Sequence, residues 1–158
     1  GHAWSYDVVT TGYNYRIDEI RSALGRVQLS RLDKFNARRR ELTDLYRSLL
    51  AQECPGVMVP FDHHPGISAH HIMPVLLPRG TDRIRFMESM KSHGIQTSIH
   101  YPPVHTFTSF RSGQQQKPDL PVTEEVAARE VTLPLYPLMT DDDVMLVVNA
   151  IKESIESI

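Results

Sequence analysis

The sequence predicts an α+β fold, a small sheet with helices packed on it, and three features lead there. Apolar residues recur at spacings of three and four over residues 20–49 and again over residues 144–155, the period of amphipathic helices. Short aliphatic runs lie between these two patterns: Val57 to Val59, Ala69 to Leu77, Ile95 to Ile99 and Thr132 to Leu135. A few strands alternating with helices suggest two layers, helices against a small sheet.

The elements follow in order. Val8, Val9 and Thr10 are β-branched and read as a short strand or extended arm, and Gly12 and Asn14 mark a turn after it. Asp18 is placed to cap a helix, with Glu19 in its first turn and Ile20, Leu24 and Val27 on one face. Gly25 inside that helix costs about 1 kcal/mol against alanine, which suggests a close packing neighbour. A second helical pattern, bent against the first near Ser30, carries Leu29, Leu32, Phe35, Leu42, Leu45, Tyr46 and Leu49, and Pro55-Gly56 ends it. Val57 to Val59 forms a strand, residues 61–68 a loop, and Ala69 to Leu77 the main strand, in which Pro74 must turn its missing N–H toward an edge or a gap. Thr81-Asp82 caps a helix that ends near His93-Gly94 and buries Ile84, Met87 and either Met90 or Lys91. After the strand Ile95 to Ile99, residues 100–121 read as an irregular loop and residues 122–130 as a short helix. A strand at 132–135 is broken by Pro134 and Pro137. Thr140 and Asp143 make a capping box for the last helix, whose inner stripe is Val144, Val147, Val148, Ile151 and Ile155.

Length and composition bound the function. At 158 residues and 18.0 kDa, 41% apolar and 23% charged, the chain has the makings of one folded domain with a real core. A net charge of −2 argues against a dedicated nucleic-acid binder. The charge is unevenly spread: residues 1–50 hold nine basic and six acidic groups, residues 118–158 two and nine. The lone Cys54 excludes an internal disulfide and a cysteine-rich zinc module. No apolar run reaches the ~18 residues of a membrane span, and residues 1–7 lack a signal pattern, so the expected location is the cytoplasm.

Among residues that could carry chemistry, the histidines come first. His63-His64 and His70-His71 are adjacent pairs, without the i, i+4 spacing of a zinc helix, and no metal site is expected. There is no Gly-x-Ser-x-Gly elbow and no glycine-rich phosphate loop. Arg38-Arg39-Arg40 is interrupted by Asp33, Glu41 and Asp44 and reads as a solvated helix face. Two segments stand out. Gly12-Tyr13-Asn14-Tyr15-Arg16 precedes a helix N-terminus and fits either a phosphate-binding turn or a plain turn leading into the helix. His100-Tyr101-Pro102-Pro103-Val104-His105 follows a strand directly and fits either a rigid binding loop or a proline-stiffened connector.

Together these segments resemble the DegT/DnrJ/EryC1/StrS sugar aminotransferases. The resemblance is carried by residues 12–29, by Leu32-Asp33, Arg38-Arg39-Arg40 and Tyr46, by Gly94-Ile95, and by His100-Tyr101-Pro102 with His105. Leu120-Pro121 and Thr132-Leu133-Pro134-Leu135-Tyr136-Pro137 continue it. It implies the C-terminal part of a fold-type I enzyme that uses pyridoxal 5′-phosphate (PLP) to move an amino group, usually from glutamate, onto a nucleotide-linked keto-sugar. On this reading residues 1–17 are an arm and cofactor-phosphate loop, residues 18–52 a long helical segment and residues 53–158 an α+β small domain. The large domain with the Schiff-base lysine is expected upstream, outside this chain. Lys34, Lys91, Lys117 and Lys152 do not match the context of the family's cofactor lysine, so no catalytic residue is expected here and the chain alone should be inactive. The resemblance assigns Asn14 to the PLP phosphate of a partner subunit in a homodimer, Arg16 to orienting that cofactor-binding loop or contacting phosphate or substrate, Tyr13 to the same cofactor cleft, and His100, Tyr101 and His105 to the sugar-nucleotide entrance. It also covers dehydratases in which histidine replaces the lysine, so the reaction of the complete enzyme stays open. A non-catalytic sugar-nucleotide-binding or dimerisation module is the alternative.

Overall fold

The computed structural model describes residues 10, 12–13, 15–61, 64–111 and 119–158. The expected strand at Val8 and Val9, along with Asn14, His63 and Lys117, lies outside them. Helix α1 (Glu19–Glu53) comes first, followed by strand β1 (Met73–Leu76) and helix α2 (Arg83–Ser92). A 3-10 turn (Val104–Thr106) and the short helix α3 (Thr108–Arg111) lead to helix α4 (Pro121–Arg129), strand β2 (Glu130–Leu133) and helix α5 (Asp141–Glu156). The chain divides into two compact units, Gly1–Asp33 and Lys34–Ile158.

In the first unit the Asp18 carboxylate accepts the Arg21 N–H at 2.7 Å, the N-cap bond its position predicts. Ile17, Ile20, Leu24 and Val27 form an apolar row there, and all four are exposed. Among the described residues Gly25 has no packing neighbour: a Cβ at that position would meet nothing of theirs within 4 Å. The two helical patterns expected to meet near Ser30 form a single helix, Glu19–Glu53. Ser30 bonds back to the Val27 carbonyl at 2.8 Å, and α1 runs through as one helix because no residue in it removes a backbone donor.

In the second unit α1 buries Leu42, Tyr46 and Leu50 against Met73 and Val75 of β1, Val131 and Leu133 of β2, Phe86 and Met90 of α2, and the inner stripe of α5. The predicted stripe on α1 thus holds over its C-terminal half, while Leu29 and Leu32 are exposed. The buried Tyr46 hydroxyl donates to the Pro134 carbonyl at 3.0 Å, and burial raises its pKa well above the ordinary phenol range. Arg38 is not a solvated face residue: it donates to the Met139 carbonyl and to Asp141, each at 2.9 Å, and so ties α1 to the start of α5.

The sheet pairs β1 with β2 antiparallel, in the register Met73↔Leu133, Pro74↔Thr132, Val75↔Val131 and Leu76↔Glu130. The main strand is shorter than predicted, and the aliphatic runs near residues 58 and 98 contribute single bridges, Met58↔Leu76 and Ser98↔Thr132, one on each edge. Leu77 donates to Arg129 across the ladder while Leu76 donates to Met58 on the other side. The alternation places Pro74, like Leu76, with its nitrogen toward the Met58 edge, where no ladder bond is lost.

Asp82 caps α2 by accepting from the N–H groups of Ile84 and Arg85 at 3.0 and 3.1 Å, and Gly94 follows at φ +77°, a left-handed helix end. The buried face of α2 is Phe86 and Met90 with Met87 beside them, and Ile84 is exposed, against expectation. The reason is Arg83. It takes the position one turn before Phe86 and Met87 and donates to the carbonyls of Ala127 and Glu130 near the end of α4. The last helix begins as predicted: Asp143 N–H donates to Thr140 Oγ1 at 3.1 Å and Thr140 N–H to Asp143 Oδ2 at 2.8 Å. Its stripe of Val144, Val147, Val148 and Ile151 is buried, with Ile155 partly so.

Candidate functional site

The residues expected near a substrate lie where the segment paired to β2 through Ser98 enters the proline loop. Strand β2 alternates: Val131 and Leu133 face the apolar core, so Glu130 and Thr132 share the opposite face. That face is not in water. Glu130 is 8% and Thr132 5% exposed. Their polar groups are met locally. Thr132 Oγ1 lies 2.6 Å from Glu130 Oε1, the His100 backbone N–H donates to Glu130 Oε2 at 2.9 Å, and His100 Nδ1 lies 2.9 Å from Thr132 Oγ1. His100 is therefore anchored to the sheet by two bonds. The Tyr101 ring meets the His100 ring edge-on, with centroids 4.8 Å apart, and is itself 72% exposed. The peptide between the two residues is cis.

His105 is placed differently. Its side chain is 8% exposed, and Nε2 lies 3.1 Å from Glu124 Oε1, so this ring joins the 3-10 turn to α4. His100 and Tyr101 thus come together while His105 is engaged on the α4 side of the same loop. Glu130, Thr132 and Glu124 were missed in the sequence. The first two did leave a signal, a polar residue at every second position of Glu130-Val131-Thr132-Leu133.

Tyr13 and Arg16 belong to the first unit. Both are exposed, and the Tyr13 ring lies 5.7 Å from that of Tyr15. Asn14 lies outside the described residues. A cleft of about 700 Å³ also opens in the second unit between α1 and residues 59–74, bordered by Arg40, Arg47, His64 and His70. Burial first, then the charges of Arg40 and Arg47, push the His70 imidazole below its ordinary pKa. Among the described residues no three His, Cys, Asp or Glu side chains form a group that could hold a metal ion. No described helix is long and apolar enough to cross a membrane.

Lys152 pairs with Glu53 at 2.9 Å, a bond that raises its pKa and keeps the amine protonated, whereas imine formation needs the neutral amine. Lys34 and Lys91 stand exposed on α1 and in the last turn of α2.

Residues 2–152 match the model of the DegT/DnrJ/EryC1/StrS aminotransferase family, and the chain belongs to that family. It corresponds to the C-terminal part of such proteins. The spore coat polysaccharide biosynthesis protein SpsC of Bacillus subtilis is 33% identical over 159 residues, covering 98% of this chain and 41% of SpsC. The structure of S. venezuelae DesV in complex with a ketimine intermediate superposes with a TM-score of 0.82 at 30% identity, over 96% of this chain and 40% of DesV. Helicobacter pylori PseC, an aminotransferase involved in pseudoaminic acid biosynthesis, shares the fold at a TM-score of 0.89 and 23% identity, over 100% of this chain and 43% of PseC. The chain thus spans about two fifths of the length of these relatives.

Proposed function

We propose that this chain is the substrate-facing small domain of a cytoplasmic, PLP-dependent aminotransferase that acts on a nucleotide-linked keto-sugar with an amino-acid donor such as glutamate. The observation that carries the reading, beyond family membership, is the pairing of His100 with Tyr101. One ring is anchored to the sheet and the other offers an exposed aromatic face beside it, a combination suited to stacking and hydrogen bonding with a sugar or a base. Tyr101 packs on the ligand, His100 bonds to it, and His105 borders the same loop. Asn14 binds the cofactor phosphate of a partner subunit, Arg16 orients that loop or contacts phosphate or substrate, and Tyr13 packs at the same cleft. The exposed row of Ile17, Ile20 and Leu24, with Tyr13 and Tyr15 ahead of it, supports a homodimer, because apolar rows of this kind are usually covered in an assembly. The same row is what favours the second reading, a non-catalytic dimerisation or sugar-nucleotide-binding module.

In the complete enzyme PLP supplies the electron sink, and the residues of this chain bind and orient. The test is glutamate-dependent turnover of nucleotide-linked keto-sugars by the enzyme expressed with its upstream coding sequence. Tyr101→Ala should raise KM for the sugar about two- to tenfold, the worth of an aromatic contact, and leave KM for glutamate and the melting temperature unchanged. Arg16→Ala should weaken PLP retention at an unchanged melting temperature. Sugar-nucleotide binding without turnover would favour the module, and neither binding nor turnover would overturn both readings.

A further inference from the structure

Glu130 is a carboxylate in a nearly closed site with no cation within salt-bridge distance among the described residues, on the face of β2 away from the apolar core. Ionisable side chains are rarely buried unless their hydrogen bonds are fully met. Here both oxygens are met, and the donors form a chain that ends on a histidine ring.

The polarity of the chain follows from counting protons. The His100 backbone N–H can only donate, so Glu130 Oε2 accepts from it at 2.9 Å. The Thr132 hydroxyl donates its one proton to Glu130 Oε1 at 2.6 Å. With that proton committed, Thr132 Oγ1 has only lone pairs to offer His100 Nδ1 at 2.9 Å. The Nδ1 atom must therefore carry the proton, which leaves Nε2 of the neutral ring bare. Among the described residues His100 Nε2 makes no hydrogen bond, and the ring is held between the sheet and Tyr101.

We propose that Thr132 and Glu130 are positioning residues which hold His100 in its Nδ1–H tautomer, so that Nε2 is presented as a hydrogen-bond acceptor to a hydroxyl of the ligand. The ligand half of this statement rests on the substrate-facing role proposed above; the tautomer half stands without it. A backbone bond and a side-chain bond on one histidine fix its position and its ring rotation together. The ring then meets a ligand hydroxyl without first paying to reorient.

The tautomer is read directly from long-range proton–nitrogen correlation spectra of the ¹⁵N-labelled 158-residue chain, recorded in mildly alkaline buffer. The expected result is an Nδ1–H pattern for His100. Thr132→Ser should keep it. Thr132→Val, which removes the acceptor, should move the ring toward the Nε2–H form that a free histidine side chain prefers. Glu130→Gln should shift it the same way, since a single amide oxygen cannot serve both His100 N–H and the threonine hydroxyl. An Nε2–H pattern in the unmodified chain would overturn the proposal, because the Thr132 hydroxyl would then donate to His100 Nδ1 and not to Glu130. So would an unchanged Nδ1–H pattern in a folded Thr132→Val variant. The unmodified chain gives a decision even if that variant does not fold. For the ligand half, Thr132→Val in the complete enzyme should raise KM for the keto-sugar several-fold and Thr132→Ser should restore it. A switched tautomer with an unchanged KM would overturn the ligand half alone. An enzyme with no sugar-dependent turnover at all would sink the functional reading and leave the tautomer result standing.

Discussion

Replacing Leu42 and Leu24 by alanine, one at a time, sets the same chemical change at two places on one helix. Both lie on α1, both belong to apolar rows of helical period, and alanine is if anything the better helix former at either position. Their surroundings differ. Leu42 is 0% exposed, packed in the core that joins α1, the sheet and α5, while Leu24 is 60% exposed. Truncating Leu42 loses the transfer free energy of the removed methyl groups and leaves a cavity, which together cost about 2–5 kcal/mol. Truncating Leu24 removes little that the fold has buried and should stay within about 0.5 kcal/mol. For a chain of this size each kcal/mol moves the melting temperature by roughly 2–4 °C, so Leu42→Ala should melt about 4–20 °C lower and Leu24→Ala nearly unchanged. Urea and thermal unfolding followed by circular dichroism measure both, and repeating them over a hundredfold range of protein concentration separates self-packing from association. If Leu24→Ala costs as much as Leu42→Ala at every concentration, the first turns of α1 are packed within the chain, and the exposure on which the homodimer rests is wrong. A cost for Leu24→Ala that grows with protein concentration is the signature of a second copy covering that row.

Two further outcomes concern α5 and its neighbour. Thr140→Ala removes the side-chain half of the capping box and should lower stability by about 1 kcal/mol in urea unfolding, with Thr140→Ser close to the original; an unchanged midpoint in the alanine variant would mean that water caps α5 equally well. The His93 pKa is raised, first by the Ser89 carbonyl at 2.9 Å and then by Glu153 at 2.9 Å. A raised folded-state pKa means a contribution that is complete below the ordinary imidazole value and is lost as pH rises through the folded value. The stability difference between the original chain and His93→Gln should therefore be larger in mildly acidic than in mildly alkaline buffer, and a difference independent of pH would show that the pair does not form in solution.

Local chemistry was readable along the chain wherever a residue acts on its own neighbours. Asp18, Asp82 and the Thr140–Asp143 box cap helices because their oxygens reach N–H groups two or three residues away, a distance set by the helix and by nothing else. The inner stripe of α5 was legible for the same reason: a short helix with one strongly apolar face has one way to bury it. The family signature was likewise a matter of residue order, and His100 and Tyr101 could be singled out because a proline-stiffened loop follows a strand.

Periodicity could not say which length of α1 is buried. Its apolar rows continue from Ile20 to Leu50, but burial is confined to the C-terminal half, where Leu42, Tyr46 and Leu50 join the core with Leu45 and Leu49 beside them, and that burial depends on residues of the sheet, α2 and α5 that are distant in the sequence. Arg83 displaced Ile84 from the inner face of α2 because its guanidinium found carbonyls on α4, partners more than forty residues distant. The anchoring of His100 needed more still. Thr132 and Glu130 share a face through strand alternation, which the sequence displays, but they reach His100 only because the segment at Ser98 pairs with β2 at Thr132 and carries the histidine back over that face. Caps, turns and helical faces are settled by bonds a few residues long, so the sequence by itself determined them. Burial of a polar pair and the proton it imposes on a distant ring exist only once strands are in register, and that came with the folded chain.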